Sequence, residues 1–283
     1  MMPAIPENKT LEEWRTNAPF WKKHSATIRT MFRPLTEALI NEGGIVPGKN
    51  VLDVAGGAGE PSLTIAKRVA PTGAVTCTDA VAEMVAAAES EAHRLGLTNI
   101  TFRQCVADSL PFGSDSFDIV VSRLGIMFFP DPPAALREML RVAKPGAGLA
   151  FAVWHKSELN PFASVVTDIM SRYVDAPAAD PDAPGAFRFA EPGKLAGILS
   201  GAGANDVREQ VLQFQIEASI SPGEYWELRS ETSDTLRQKL AMLSAKEVRR
   251  IKQEVEDAAR RYFSNDQMSF PAQAIIVSGN KPA

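Results

Sequence analysis

Asp53 and Asp79 each close a short apolar run, 79 − 53 = 26 residues apart, and the turn Gly56-Gly57-Ala58-Gly59 lies between them. An acid at the carboxyl end of a strand, beside main chain freed by glycine, is placed to hold a nucleoside. The carboxylate can accept both ribose hydroxyls while the turn lets a ligand approach the backbone. Turns of this kind usually offer amides to a pyrophosphate. Here, counting from Gly57, the third fingerprint glycine is replaced by Ser62, Glu60 stands at the helix entrance, and Pro61 removes an amide donor. Carboxylates at Asp53 and Glu60 repel a pyrophosphate and suit an ammonium or sulfonium. Ribose joined to a cationic amino-acid tail describes S-adenosylmethionine better than NAD.

A transferable group on such a ligand needs an acceptor, and a general base only if that acceptor must lose a proton. Three histidines occur. His93 falls on the polar side of its helix. His24 and His155 are the catalytic candidates, each with plain hydrogen bonding as the alternative, and Glu60 and Asp131 are weaker ones. The run Leu124-Gly125-Ile126-Met127-Phe128-Phe129-Pro130 is apolar for a loop at a sheet's edge. With Phe20, Trp21 and Trp154, its Met127 and Phe128 could wall a pocket for an aromatic or lipophilic small molecule; the alternative is cover by the amino-terminal helices. Cys77 and Cys105 fall in strand-like segments and read as buried thiols. No clustered metal ligands are apparent, so no metal is expected.

The elements that must position these residues follow from periodicity. Val51–Val54 is a strand, Ser62–Val69 a helix, and Ala74–Asp79 the second strand. Val81, Met84, Val85, Ala88, Ala92 and Leu95 trace a helical face. Further strands are expected over Ile100–Val106, Phe117–Ser122, Leu149–Trp154, Val207–Ala218 and Ala272–Gly279. Helices are expected over Pro133–Ala143, Pro161–Val174 and Glu191–Gly201, then from about Pro222 and from Ser244, where Ser244 and Glu247 form a capping-box pattern. Lys144-Pro145-Gly146-Ala147-Gly148 reads as a turn and Asp175–Gly185 as a mobile loop. Strands alternating with helices predict an α/β fold with a doubly wound, mostly parallel, seven-stranded Rossmann-like sheet. Residues 1–47, helical from Leu11 to Gly43 in two helices after a loose tail, read as an amino-terminal lid. Residues 48–283 read as the core, with helical insertions at about 157–190 and 220–265.

Residues 49–154 resemble a class I S-adenosylmethionine-dependent methyltransferase of the ubiquinone/menaquinone-biosynthesis-like group. The family's Asp-x-Gly-x-Gly-x-Gly is met by Asp53-Val54-Ala55-Gly56-Gly57-Ala58-Gly59, with Ala55 for the first glycine, and its strand-two acid by Asp79. Leu110-Pro111-Phe112, Ser116-Phe117-Asp118, Leu136-Arg137-Glu138 and Lys144-Pro145-Gly146 follow in the family's order, with Ala147 for a second glycine. The resemblance implies that Ala55, Gly56 and Gly57 meet the methionine portion through their backbone and Asp79 the ribose. It implies that Ala80 and Met84 lie along the adenine. In many relatives an Asp before the matched Ala107 holds the adenine amino group; Val106 stands there, so Asp108, or backbone and water, would serve. Ser122 and Arg123 would border the methionine ammonium.

The 283 residues carry 30 basic and 34 acidic side chains and no basic run. A general nucleic-acid surface is not indicated. No Asn/Asp-Pro-Pro-aromatic run directly follows the fourth strand, as it does in amino-methylating DNA enzymes. Apolar runs are strand-length, so stable membrane insertion is not expected, and the polar start of the chain makes the cytoplasm the default. The expected function is methyl transfer from S-adenosylmethionine, by in-line displacement, to oxygen, carbon or nitrogen of a small hydrophobic or aromatic acceptor, leaving S-adenosylhomocysteine, in a monomer or homodimer. The alternatives are an NAD(P)-dependent oxidoreductase and a non-catalytic protein that binds the cofactor.

Overall fold

Val51, Leu52 and Val54 are apolar and bounded by Pro47-Gly48 and Gly56-Gly57, and they form a short strand buried on both faces, as a central parallel strand must be. A computed structural model of the chain describes residues 9–175 and 180–283. The start of the expected tail, residues 1–8, and residues 176–179 of the expected mobile loop lie outside the described residues.

Three helices lead in: α1 (Lys9–Lys23), α2 (Ser25–Met31) and α3 (Arg33–Glu42). One more break occurs than periodicity suggests. Pro34 has no N–H to continue the ladder from α2, and the chain bends at Phe32. The alternating half follows as β1 (Asn50–Val54), α4 (Ser62–Val69), β2 (Ala74–Asp79), α5 (Ala82–Arg94), β3 (Ile100–Gln104), β4 (Phe117–Arg123), α6 (Pro132–Val142) and β5 (Ala143–Trp154). Then come α7 (Pro161–Met170), α8 (Lys194–Gly201), β6 (Asn205–Ala218), α9 (Pro222–Thr232), α10 (Asp234–Ala241), α11 (Ala245–Ala259), β7 (Phe263–Ser264) and β8 (Gln267–Asn280).

The sheet runs β3-β2-β1-β4-β5-β8-β6. β1 to β5 are mutually parallel, and β8 is antiparallel to both β5 and β6. The two-residue β7 adds to the seven expected strands: it pairs with β8 across Asn265-Asp266, both at positive φ, as a tight hairpin turn demands. β5 begins earlier than expected. Lys144-Pro145-Gly146 is absorbed as an irregularity between the Phe117–Ala143 and Ile119–Gly148 pairs instead of ending the strand. β8 also runs longer, because Pro271 pairs with β6 beyond the reach of β5, where its missing N–H costs no ladder bond.

Alternate strand residues feed two cores. Val51, Val75 and Val121 meet α3, α4 and α5 through Leu35, Leu39, Ile65 and Ala88, continuous with α7 and α11. Leu52, Val54 and Val120 meet α6 and α8 through Leu136, Met139 and Leu195. The capping box is present at Ser244 and Glu247, and a second one at Ser221 and Glu224 opens α9. Ser233 caps the unforeseen α10 by accepting from the Leu236 amide. Among the described residues no helix is long and apolar enough to cross a membrane.

Candidate active site

The turn after β1 is set by what lies behind it. Asp53 is fully buried, and Ser62 Oγ donates to its Oδ2 at 2.6 Å while Oδ1 has no partner. Desolvation raises its carboxyl to about pKa 7. A Cβ at Gly56 would stand 2.6 Å from Cys77 Sγ and 2.8 Å from Asp53 Oδ2, so only glycine fits there. Ala55 takes φ +61°, a region glycine usually occupies, and its methyl lies 2.6 Å from where a Cβ on Gly125 would be. Gly57, at φ +55°, faces open space and donates its N–H to Asp79 Oδ2 at 3.0 Å. Asp79 Oδ1 accepts from the Val81 amide at 2.9 Å. Burial lifts Asp79 to about pKa 6 against these bonds.

A cavity of about 500 Å³ opens over this turn. Ala55, Gly56, Gly57, Asp79, Ala80, Met84, Ala107, Asp108 and Arg123 all line it. So do Trp21, Met127, Phe128 and Trp154. Asp53 and Ser122 do not: both are sealed behind the turn, Ser122 Oγ with no partner. Phe20 lies outside as well, with the Arg237 guanidinium 4.8 Å from its ring centre. Neither histidine candidate lines the cavity. His24 Nε2 lies 2.6 Å from Glu231 Oε2. His155 Nδ1 is engaged 2.9 Å from the Ala190 carbonyl and 2.8 Å from the Lys156 amide.

Glu60 lines the cavity, but its charge is spent. Arg29 Nε donates to Oε1 at 2.8 Å and Thr64 Oγ1 to Oε2 at 2.8 Å, while Arg29 also reaches Glu91 at 2.6 Å. The pair of carboxylates that argues from sequence for a cationic ligand therefore presents neither as a free anion, and Asp79 is the acid left at the turn. Arg123 is buried, donates to Thr36 Oγ1 at 2.7 Å and to the Glu60 carbonyl at 3.1 Å, and lies over Phe32.

Several lining residues carry no signal in the sequence. Trp14 stands edge-on to Trp21 and to Phe128, with ring centres 5.5 and 5.0 Å apart, and Phe32 meets Trp154 at 5.5 Å. Arg229 and Asp234 reach the cavity from α9 and α10. Only the density of aromatic residues in the lead-in hints at this covering.

The methyltransferase domain family matches residues 45–175. An uncharacterised protein of Mycobacterium tuberculosis is 42% identical over 151 residues, covering 52% of this chain and 53% of its own length. The ubiquinone/menaquinone biosynthesis C-methyltransferase UbiE of Hahella chejuensis is 37% identical over 134 residues, covering 47% and 53%. This chain thus spans about half the length of the curated relatives it matches. A crystal structure of a SAM-dependent methyltransferase from Aquifex aeolicus superposes with a TM-score of 0.51 at 25% identity, covering 69% of this chain and 91% of that one. With the strand order and the turn described above, residues 45–175 match the methyltransferase domain family and have the fold of the class I S-adenosylmethionine-dependent methyltransferases.

Proposed function

We propose that this chain transfers a methyl group from S-adenosylmethionine to a small, largely apolar acceptor. The observation that carries this reading is the joint presence, on one cavity wall, of the Asp79 carboxylate and the open Gly57 backbone. Each Asp79 oxygen keeps a free lone pair after its amide bond, enough to accept two ribose hydroxyls. Ala80, Val81 and Met84 give an apolar wall beside it for a purine, with Asp108 within the same lining. Pro61 leads α4 without an N–H, which suits a ligand lacking pyrophosphate. When bound, S-adenosylmethionine supplies an electrophilic methyl on a sulfonium.

The chain's own contribution is then positioning and the exclusion of water. Trp14, Trp21, Phe128 and Trp154 line the cavity and favour an aromatic or lipophilic body. We infer that residues up to 47 act as the lid of the core at 48–283, supported by the packing of α1 on α5, α9 and α10. Among the described residues no histidine side chain lines the cavity, so any base for an acceptor that must lose a proton would be a carboxylate such as Asp131.

Calorimetric titration of the protein with S-adenosylhomocysteine and with NADH tests this. Binding of S-adenosylhomocysteine is expected, weakened by about 1–3 kcal/mol in Asp79→Ala. Tight binding of NADH alone would overturn the reading.

A further inference from the structure

Three arginines line the cavity, and they differ in what they hold. Arg29 is paired with Glu60 and Glu91. Arg123 donates to Thr36 and to the Glu60 carbonyl, and nearby acids, Glu60 first, oppose in part the burial that lowers it. Arg229, on α9, has neither kind of partner. Among the described residues no carboxylate lies within ion-pair distance of it, and no hydrogen bond satisfies its Nε, which is sealed from solvent. Its companions are the Phe162 ring, whose centre is 5.0 Å from the guanidinium carbon, and Tyr225, whose hydroxyl is committed to the Phe162 carbonyl at 2.8 Å. Burial pushes Arg229 below its ordinary value, opposed only by Tyr225.

Among the described residues, every acid that lines the cavity except Asp108 is engaged elsewhere, Glu13 by Lys9. Glu60 serves Arg29, Asp79 two amides, Asp131 the first turn of α6, and Asp234 Arg237 and Thr16. A cation half-withdrawn from water with no counter-charge is costly, and an apolar side chain of similar volume would be cheaper. The arrangement makes sense if the missing anion arrives with a ligand. A guanidinium presents a planar fork that matches a carboxylate with two parallel bonds, and one cation balances one negative charge. Phe162, Trp154 and Ile216 line the same cavity and would take the apolar remainder.

We propose that Arg229 is the anion-binding residue of the acceptor pocket, and that the acceptor carries a carboxylate on an apolar or aromatic body. This rests on the methyl-transfer reading, which makes one part of the cavity the cofactor's and leaves the rest to an acceptor. Arg229's ring companions lie on α7 and α9 and not on the turn after β1 to which the methyl-transfer reading assigns the nucleoside. The anion is therefore the acceptor's, and not the carboxylate of the methionine tail.

The experiment titrates the full chain, saturated with S-adenosylhomocysteine, with 2-naphthoate, indole-3-acetate and decanoate and with the amide of each. The unmodified protein is expected to bind at least one acid about tenfold more tightly than its amide. Arg229→Met is expected to abolish that preference, and Arg229→Lys to keep part of it. S-adenosylhomocysteine affinity should stay within about twofold in both variants, as for sites that share no partner. Ligand-free Arg229→Met should melt no lower than the parent, because it removes a buried charge without a counter-charge. Amides binding as well as acids, no acid binding below about 1 mM, or a preference that survives Arg229→Met would each overturn the proposal. So would a fall in S-adenosylhomocysteine affinity in Arg229→Met, which would assign the arginine to the cofactor's own carboxylate, or a lowered melting temperature in its ligand-free form, which would make it structural. A preference for 2-naphthyl phosphate over 2-naphthoate overturns the carboxylate in favour of a phosphate ester. Failure of the unmodified protein to bind S-adenosylhomocysteine is read separately, as failure of the methyl-transfer reading.

Discussion

Asp53 and Asp79 have the same side chain at the ends of adjacent strands, and the fold gives them opposite duties. Asp79 turns toward the cavity and ties the two turns together through the Gly57 and Val81 amides. Asp53 turns inward, holds Ser62 at the head of α4 and keeps one oxygen unsatisfied. Its folded value of about 7 exceeds the ordinary 3.8, so the folded chain holds a proton there that the unfolded chain releases. The stability this group contributes is present in full below the unfolded value and is lost as pH rises through the folded one. Asp53→Asn, which keeps an acceptor for Ser62 and removes the charge, is expected to stabilise the ligand-free chain by about 1–3 kcal/mol near pH 8. That gain should shrink steadily toward pH 4, and thermal unfolding across the range measures it. A gain independent of pH would mean that Asp53 stays ionised throughout. Residue types and spacing made both aspartates legible. Which of them faces the cavity was not, because Asp53 is closed over by Ser62 and the Gly56 backbone, packing that no periodicity encodes. The quenching of Glu60 was hidden for a similar reason: Arg29 lies 31 residues earlier, on a helix that only packing brings alongside.

Between elements, the loops after β1 and after β4 close against each other at one contact. Ala55 carries a methyl where the family pattern has glycine, and Gly125 supplies the room for it. Gly125 has φ −89°, which any residue can adopt, so a substitution there is opposed by contact alone. Gly125→Ala is expected to destabilise by about 1–3 kcal/mol, the usual range for overpacking. Adding Ala55→Gly should recover part of this, the remainder reflecting Ser122 Oγ at 2.8 Å. Chemical denaturation of the two single variants and the double variant gives the coupling, and strict additivity would show that the loops move independently. Element by element, apolar periodicity located the five parallel strands, their helices and the Ser244 capping box. It misplaced ends where punctuation residues behave unusually. Pro145-Gly146 signals a turn but is carried inside β5, and Pro271 signals a strand end but sits on a stretch of β8 that has only one neighbour.

At the scale of the molecule, the cavity is covered by helices from two distant parts of the chain. Lys23 reaches Glu227 and Glu231, Thr16 reaches Asp234, and Trp21 donates to the Thr232 carbonyl. Half-exposed ion pairs of this sort each contribute less than about 1 kcal/mol. Lys23→Met is therefore expected to leave the melting temperature nearly unchanged while speeding amide exchange across α1 and α9. Unchanged exchange would show that the aromatic contacts alone hold the covering shut. A covering built from so remote a pairing was beyond sequence reasoning, which registers the aromatic residues of the lead-in but not their partners.

The position of β8 has a consequence for how the chain is made. The strand that comes last in sequence is not at an edge but between β5 and β6. During synthesis β1 to β5 can assemble in order as they emerge, whereas β5 and β6 must wait, each with a row of unpaired amides and carbonyls on the side β8 will fill. A ribosome that stalls between residues 218 and 267 releases a product with two open strand edges, fourteen residues long in the case of β6. Such a product is prone to join its neighbours edge to edge. For this fold, a break between β6 and β8 is a hazard of aggregation.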